Sequence, residues 1–263
     1  MACDCGGVRE CEQDTDEDCC VPPPETDRTH VYITHLLGGE VSFFSSTETG
    51  VELVDIRGGF FTPQNGIQGG FSMAAQTPGD RDGRVYVSSR VDSSLASFRI
   101  RDNNTIVDDS RVLVGALAPG SDNRGVAFGP GGERMYVVNR QPPSLVAFDM
   151  SLEDGLPKGE PMWVEEVCAE PSLLRLAPER DLAYVVCFGT AQIHVVDTAT
   201  GRVVGQIATG KGPNELVLDH QRRCAFVANF LENTVGVIDL DPSHATYHRM
   251  VLRIGLQQDL VKN

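Results

Sequence analysis

The sequence lacks long apolar runs and an excess of positive charge, and each absence removes a class of protein. No stretch approaches the roughly 20 consecutive apolar residues of a membrane-spanning helix, and no charged and then apolar leader follows Met1. We therefore expect that any export signal was removed or was never present. The 37 acidic residues outnumber the 22 Lys and Arg, so the net charge is −15 and the isoelectric point about 4.7. Such a charge repels nucleic acids and anionic membranes, which we do not expect as partners.

Helical periodicity and familiar catalytic motifs are also missing. Apolar residues do not recur at a 3.6-residue period over ten or more positions. The sequence contains no HExxH, no G-x-S-x-G, no P-loop and no CxxCH. These patterns give no reason to expect a cofactor or a metal site, and they favour a protein that is not an enzyme.

The sequence does contain an internal repeat. Placing Pro171 on Pro213 puts Tyr184 on Phe226 and Asp197 on Asp239, each 42 residues apart. Within this period four short apolar runs, rich in β-branched residues, are separated by Gly, Pro, Asp, Asn and Thr. Four antiparallel strands in a repeat of roughly 40–50 residues are typical of a β-propeller blade. We predict an all-β fold, a β-propeller of four-stranded antiparallel blades.

An aromatic anchor in the second strand of each repeat gives the number of blades. The anchors are Tyr32, Tyr86, Tyr136, Tyr184 and Phe226, so the chain contains about five blade units. We expect the outer strand of the second unit near 111–115 and that of the fifth near Tyr247 to Ile254. The first unit lacks an inner strand before Val31, and the sequence 258–261 has the register of one. This leaves two alternatives: the C-terminal segment closes a five-bladed ring, or the units belong to a larger propeller.

The segment AYVV...IHVVDTATGRVVGQIATGKGPNELVLD resembles the YVTN-type β-propeller repeat, most clearly from Pro171 to Asp239. The resemblance implies seven blades and a bacterial cell-envelope or secreted protein. It also favours our first hypothesis, a non-catalytic extracytoplasmic binding or scaffold propeller. One alternative is a lactonase-like or lyase-like enzyme with its site at the channel mouth, as in similar propellers. The other is a propeller subunit that supports a redox partner.

Residues 1–27 differ in composition from residues 28–263, which we assign to the propeller. This N-terminal segment has an acidic run and a Pro-rich linker, and it buries too little to fold around an apolar core. We expect its cysteines to form disulfides in an exported protein, with zinc binding as the rival interpretation. These cysteines are Cys3, Cys5, Cys11, Cys19 and Cys20. The Ala2-Cys3 pair also matches the cut end of a lipoprotein, so peripheral membrane attachment is expected only if Cys3 is acylated.

Three cysteines lie in the predicted blades. Cys168 precedes the fourth blade and Cys187 ends its second strand, so both reach the same face and are able to bridge. Cys224 precedes a second strand, at the opposite face, and we predict an unpaired, buried thiol there.

The candidate ligand site lies where second strands end and first strands begin, because these loops gather around the channel mouth of a propeller. Converging arginines there suit a carboxylate or phosphate, which a guanidinium binds through two hydrogen bonds. Alternatively, each arginine pairs with a nearby acid such as Asp92 or Asp122. The predicted partner is a protein or a small anionic ligand, and the oligomeric state is left open. The candidate residues are His35, Arg90, Arg124, Arg140, Glu170, Lys211, Asn214 and Glu215.

Overall fold

The structure is a computed structural model that describes residues 29–35, 40–47, 49–57, 70–75, 84–89, 94–100, 106–113, 122–153 and 156–256. The predicted N-terminal segment, its five cysteines, Arg90 and the predicted inner strand at 258–261 lie outside these residues. The part of the chain that the structure describes contains no helix with the length and hydrophobicity to cross a membrane.

Antiparallel sheets of blade type contain most of the described residues, and the predicted all-β propeller is confirmed. The first blade has three strands, β1 (Thr29–His35), β2 (Glu40–Thr47) and β3 (Gly50–Arg57). The second has four, β4 (Gly70–Ala75), β5 (Val85–Ser89), β6 (Ser94–Ile100) and β7 (Ile106–Leu113).

The third blade contains an additional hairpin before its outer strand. Its four strands are β8 (Asn123–Phe128), β9 (Arg134–Asn139), β10 (Ser144–Asp149) and β13 (Glu160–Glu166). The hairpin is formed by β11 (Leu152–Glu153) and β12 (Leu156–Pro157). The blade therefore tolerates an insertion at its periphery without a change in strand order.

The fourth and fifth blades follow the 42-residue period most closely. The fourth comprises β14 (Pro171–Ala177), β15 (Leu182–Cys187), β16 (Gln192–Asp197) and β17 (Val203–Ala208). The fifth comprises β18 (Pro213–Asp219), β19 (Cys224–Asn229), β20 (Thr234–Asp239) and β21 (Arg249–Ile254). Short 3-10 turns lie at Pro130–Gly132, Pro178–Arg180 and Phe230–Glu232.

Two strand boundaries differ from the sequence-based expectation. We expected the outer strand of the second blade near 111–115, but β7 begins at Ile106. The expectation missed the acidic half of this strand because Asp108 and Asp109 interrupt the apolar pattern, whereas backbone pairing with β6 continues through both. The outer strand of the fifth blade begins at Arg249 rather than near Tyr247.

The core consists of apolar layers between successive blades. The inner strand β8 contacts β4 on one side and β14 on the other, and β14 in turn contacts β18. The aromatic anchor of each of the first four blades points toward the next blade, and Tyr86 and Tyr184 are completely or almost completely buried. Because each blade covers its neighbour, loops at the blade ends contribute little to the core.

The outward faces of the first and fifth blades are apolar but exposed. On the fifth blade, Val217 pairs with Phe226 across the sheet, and Leu252 lies in the same row. These side chains, like Val31, Ile33 and Leu53 on the first blade, are among the exposed large hydrophobic residues. Between the other blades, the equivalent faces are buried against the neighbouring blade.

Candidate functional site at the propeller mouth

Two sets of loops meet at one end of the described blades. The backbone N–H of Arg140, after β9, donates to the carbonyl of Asp122, before β8, at 2.8 Å. The same link recurs in the fourth blade from Phe188 to Glu170 at 3.1 Å, and in the fifth from Phe230 to Gly212 at 2.9 Å. The repeat therefore positions the end of each second strand beside the start of its first strand. We call this end the mouth.

An ion pair between Arg140 and Glu170 joins the third and fourth blades at the mouth. Arg140 Nη2 donates to Glu170 Oε2 at 2.7 Å, and the two side chains are 28% and 45% exposed. The Arg140 guanidinium also lies 5.8 Å from the ring centroid of Phe188, a cation–π contact. Because both side chains are partly exposed, a small polar ligand has access to the pair. The ring contact holds the Arg140 side chain in position.

A second ion pair lies deeper in the third blade. Arg124 Nη2 contacts Asp122 Oδ2 at 2.7 Å, and the Arg124 side chain is only 8% exposed. Asn123, between them, is completely buried. Asn123 was not among the predicted site residues. The repeat places it on Pro171 and Pro213, so the fourth and fifth blades have no side-chain donor at this position.

Both arginines thus have acidic partners, as the alternative sequence interpretation expected. Asp122, one of the two nearby acids named there, contacts Arg124, whereas the partner of Arg140 is Glu170, 30 residues further along the chain. The pairs do not test whether these residues bind a ligand, so that assignment stays a prediction.

The remaining candidate residues are spread more widely. His35 Nε2 lies 2.7 Å from Ser42 Oγ in the first blade. Glu215 accepts from Arg175 Nη2 at 2.6 Å, and Arg175 Nε also donates to the carbonyl of Leu216 at 3.0 Å, so this cluster joins the inner strands of the fourth and fifth blades. Lys211 and Asn214 are exposed at the start of β18.

Asparagines at the ends of second strands have a structural role. Asn229 donates to Thr234 Oγ1 at 3.1 Å and accepts from the Gly210 N–H at 3.0 Å. A Cβ on Gly210 would lie 2.6 Å from Asn229 Cγ, which explains glycine at this position. In the third blade Asn139 donates to Ser144 Oγ at 3.0 Å. These bonds hold the mouth loops to the strands.

A disulfide fixes the loop that carries Glu170. Cys168 and Cys187 are bonded, as predicted, and both are buried between the third and fourth blades. Glu170 itself has a φ of 51°, in the left-handed region that few side chains adopt. The disulfide and this backbone conformation together set the position of the Glu170 carboxylate. Cys224 is unpaired, as expected, but it is half-buried and not buried as we predicted.

One potential metal-ligand group occurs in the ranges that the structure covers. The ligand atoms of Cys168, Cys187 and His194 lie within 4.8 Å of one another. Because the two sulfur atoms are bonded to each other, they are not thiolate ligands in this state. Burial lowers the pKa of His194, so this imidazole tends to be neutral.

Comparisons with known proteins identify the family to which this chain belongs. Residues 23–165 match the family described as lactonase, 7-bladed beta-propeller, so the chain belongs to this family. No curated protein matches the sequence.

Solved structures share the fold. Hydrazine synthase of Kuenenia stuttgartiensis has a TM-score of 0.55 at 19% identity, over 71% of this chain and 49% of that one. A Bacteroides fragilis protein provisionally assigned as a 6-phosphogluconolactonase has a TM-score of 0.68 at 16% identity, over 87% and 68%. The periplasmic gluconolactonase of Pseudomonas aeruginosa has a TM-score of 0.63 at 15% identity, over 89% and 70%. The chain thus spans from about half to about seven tenths of the length of these proteins.

The family assignment corrects the sequence-based hypothesis about function. We expected a non-catalytic binding or scaffold propeller, and this expectation is wrong, because the lactonase family and its gluconolactonase-like neighbours favour the enzyme alternative. The error arose because the absence of familiar motifs was taken as evidence against catalysis. Propellers assemble sites from loops of different blades, which leave no contiguous motif.

Proposed function

We propose that the chain is part of a lactone-hydrolysing enzyme that uses Arg140 and Glu170 at the mouth. The observation that carries the proposal is the ion pair between these side chains, which is partly exposed and bridges two blades. Membership of the lactonase family supports the reaction class.

A lactone is a cyclic ester, and its hydrolysis requires an activated water and stabilisation of an oxyanion. In the proposed reaction Glu170 accepts a proton from water, and the water oxygen bonds to the carbonyl carbon. The Arg140 guanidinium donates hydrogen bonds to the oxyanion. The ring C–O bond then breaks, and the departing ring oxygen takes the proton back from Glu170. The product is an open-chain hydroxy acid.

We propose a sugar-acid lactone, especially an anionic one, as the substrate class. The Arg140 guanidinium is partly exposed at the mouth, and guanidinium groups suit carboxylates and phosphates. The neighbours assigned as gluconolactonases support this class. A small anionic ligand therefore replaces a protein as the preferred partner.

The first test measures hydrolysis of δ-gluconolactone and 6-phosphogluconolactone by pH-stat, above the spontaneous rate. We expect Glu170→Gln and Arg140→Met each to lower kcat/KM at least about a hundredfold, since each removes a group that acts in the transition state. Glu179→Gln, a comparably exposed glutamate at the opposite end of the blades, should retain activity. Full activity of Glu170→Gln, or no acceleration by the unaltered chain, would contradict the proposal.

The repeat type and the location are part of the same proposal. The segment from Pro171 to Asp239 supports a YVTN-type repeat. The Cys168–Cys187 disulfide supports an extracytoplasmic location, because disulfides persist in oxidising compartments. Acylation at Cys3 stays a prediction, since that residue lies outside the described ranges.

A further inference from the structure

The blade ends opposite the mouth form two grooves that the repeat makes equivalent. At this end of the fifth blade, beside its groove with the fourth, the Leu240 N–H donates to the carbonyl of Arg223 at 2.9 Å. One repeat earlier, the Thr198 N–H donates to the carbonyl of Asp181 at 2.8 Å. Thr198 therefore has the place in the groove between blades three and four that Leu240 has in the next groove.

The groove between the fourth and fifth blades is filled by an arginine. Arg180 Nη1 donates to the carbonyl of Leu240, and this hydrogen bond joins the fourth and fifth blades. The cavity that remains beside Arg180 and Tyr184 has a volume of only about 10 Å³. The protein thus uses its own guanidinium to close this groove.

The groove between the third and fourth blades has no arginine at the position equivalent to Arg180. Placing Tyr136 on Tyr184 puts Gly132 on Arg180. A cavity of about 280 Å³ remains, whose wall includes the Thr198 position equivalent to Leu240. The larger cavity thus lies where the repeat has a glycine, and the smaller one lies where it has Arg180.

The glycine turn accounts for the missing side chain. Gly131 and Gly132 have φ values of 72° and 69°, so the turn has a backbone conformation that glycine adopts readily. In the fourth blade the positive φ falls instead on Asp181, at 53°. The two turns therefore differ in conformation as well as in side chains.

The wall of the larger cavity suits a cation with a short apolar stem. Two carboxyl-bearing residues, Glu133 and Asp181, lie on it, with Arg134 as the one basic residue and with Leu176 and Leu182 as apolar surface. We propose that this cavity binds a small molecule carrying a guanidinium or primary ammonium group, which takes the place of the Arg180 side chain in the equivalent groove. The site lies at the opposite end of the blades from the mouth and goes beyond the proposed hydrolase function.

The direct test uses methylguanidine as the probe and urea as its neutral counterpart, with the full chain in isothermal titration. We expect saturable binding of methylguanidine with a dissociation constant on the order of 1 mM, and none of urea. Asp181→Asn should weaken binding about tenfold because it removes the charge of one acceptor. Asparagine tolerates the left-handed backbone of Asp181, so the turn should be kept. The matched control is Glu166→Gln, an exposed carboxylate outside the cavity wall.

A transplant of the fourth-blade turn provides the second test. The variant Gly131→Glu/Gly132→Arg/Glu133→Asp introduces the Glu-Arg-Asp sequence of residues 179–181. We expect this variant to lose methylguanidine binding and to melt at a higher temperature. Binding by the transplant or by Asp181→Asn that is as tight as binding by the unaltered chain, or no saturable binding by the unaltered chain, would overturn the proposal.

The reciprocal variant Arg180→Ala should open the second groove and lower the melting temperature. Methylguanidine at millimolar concentration should restore part of this loss, whereas urea should not. A restoration that is equal in Arg180→Ala and in the unrelated variant Phe226→Ala would indicate a general solvent effect and would count against the proposal.

Discussion

Tyr184 and Phe226 hold the same position in consecutive repeats but have very different environments. Tyr184 is 1% exposed and packs against the fifth blade, whereas Phe226 is 37% exposed on the outward face of that blade. Both side chains point in the same direction from equivalent strands, β15 and β19. The difference shows that the repeat sets the direction of the anchor, while a neighbouring blade determines whether it becomes core.

The largest expected effect tests this difference directly. Tyr184→Ala should lower the free energy of unfolding by roughly 3–5 kcal/mol, because it leaves a large cavity between two blades. Phe226→Ala should cost less than about 1 kcal/mol, because much of the ring is already in water. Urea denaturation measures both.

Tyr184→Phe separates the ring from its hydroxyl group. It removes the hydrogen bond between Tyr184 Oη and His248 Nε2, 3.1 Å apart, and should cost about 1 kcal/mol. Equal losses for Tyr184→Ala and Phe226→Ala would mean that the outward face of the fifth blade is covered in solution.

A smaller effect is expected from the disulfide between the third and fourth blades. The double variant Cys168→Ala/Cys187→Ala should lower stability by about 3 kcal/mol, as expected for a bridge that closes a loop of 19 residues. Cys224→Ser, at the unpaired thiol, serves as the control. On denatured, unreduced protein, thiol reagents should label Cys224 but neither Cys168 nor Cys187, and full labelling of the pair would contradict the bridge.

The smallest expected effect is a pH dependence of the stability that the contact between His248 and Tyr184 contributes. Burial, with the nearby Arg180 charge, lowers the pKa of His248 below its ordinary value of 6.5. Protonation is therefore less favourable in the folded chain than in the unfolded one. The stability that depends on the neutral imidazole is present above about pH 6.5, and it is lost as the pH falls toward the folded-state pKa.

We expect His248→Asn to reduce the slope of melting temperature against pH between about 5 and 7. Asparagine suits the φ of 59° at this position, so the loop should keep its conformation. An identical slope in the His248 variant and the unaltered chain would exclude this contribution.

Several features were predictable from local sequence. The period from Pro171 to Pro213 predicted the blades, because strand length, β-branched residues and turn residues determine local structure. The Cys168–Cys187 bridge followed from placing both residues on one face of a blade. The candidate site was predictable only as a region, because the loops at one end of all blades converge by the geometry of the fold.

Other features were not predictable because they depend on contacts between blades. The sequence does not indicate that Arg140 reaches Glu170 across a blade boundary, since nearer acids are available along the chain. The reaction class was missed for the same reason, as no single segment contains the site.

The amino-acid sequence by itself determined the strands, their order within each blade and the direction of each anchor, because these depend on local pattern and period. Only the tertiary structure decided which anchors are buried, which charges pair and why one groove contains an arginine while its equivalent contains a cavity. These outcomes depend on the packing of neighbouring blades, and packing responds to the volume and charge of residues that lie 40 or more positions apart, as for Arg180 and Leu240.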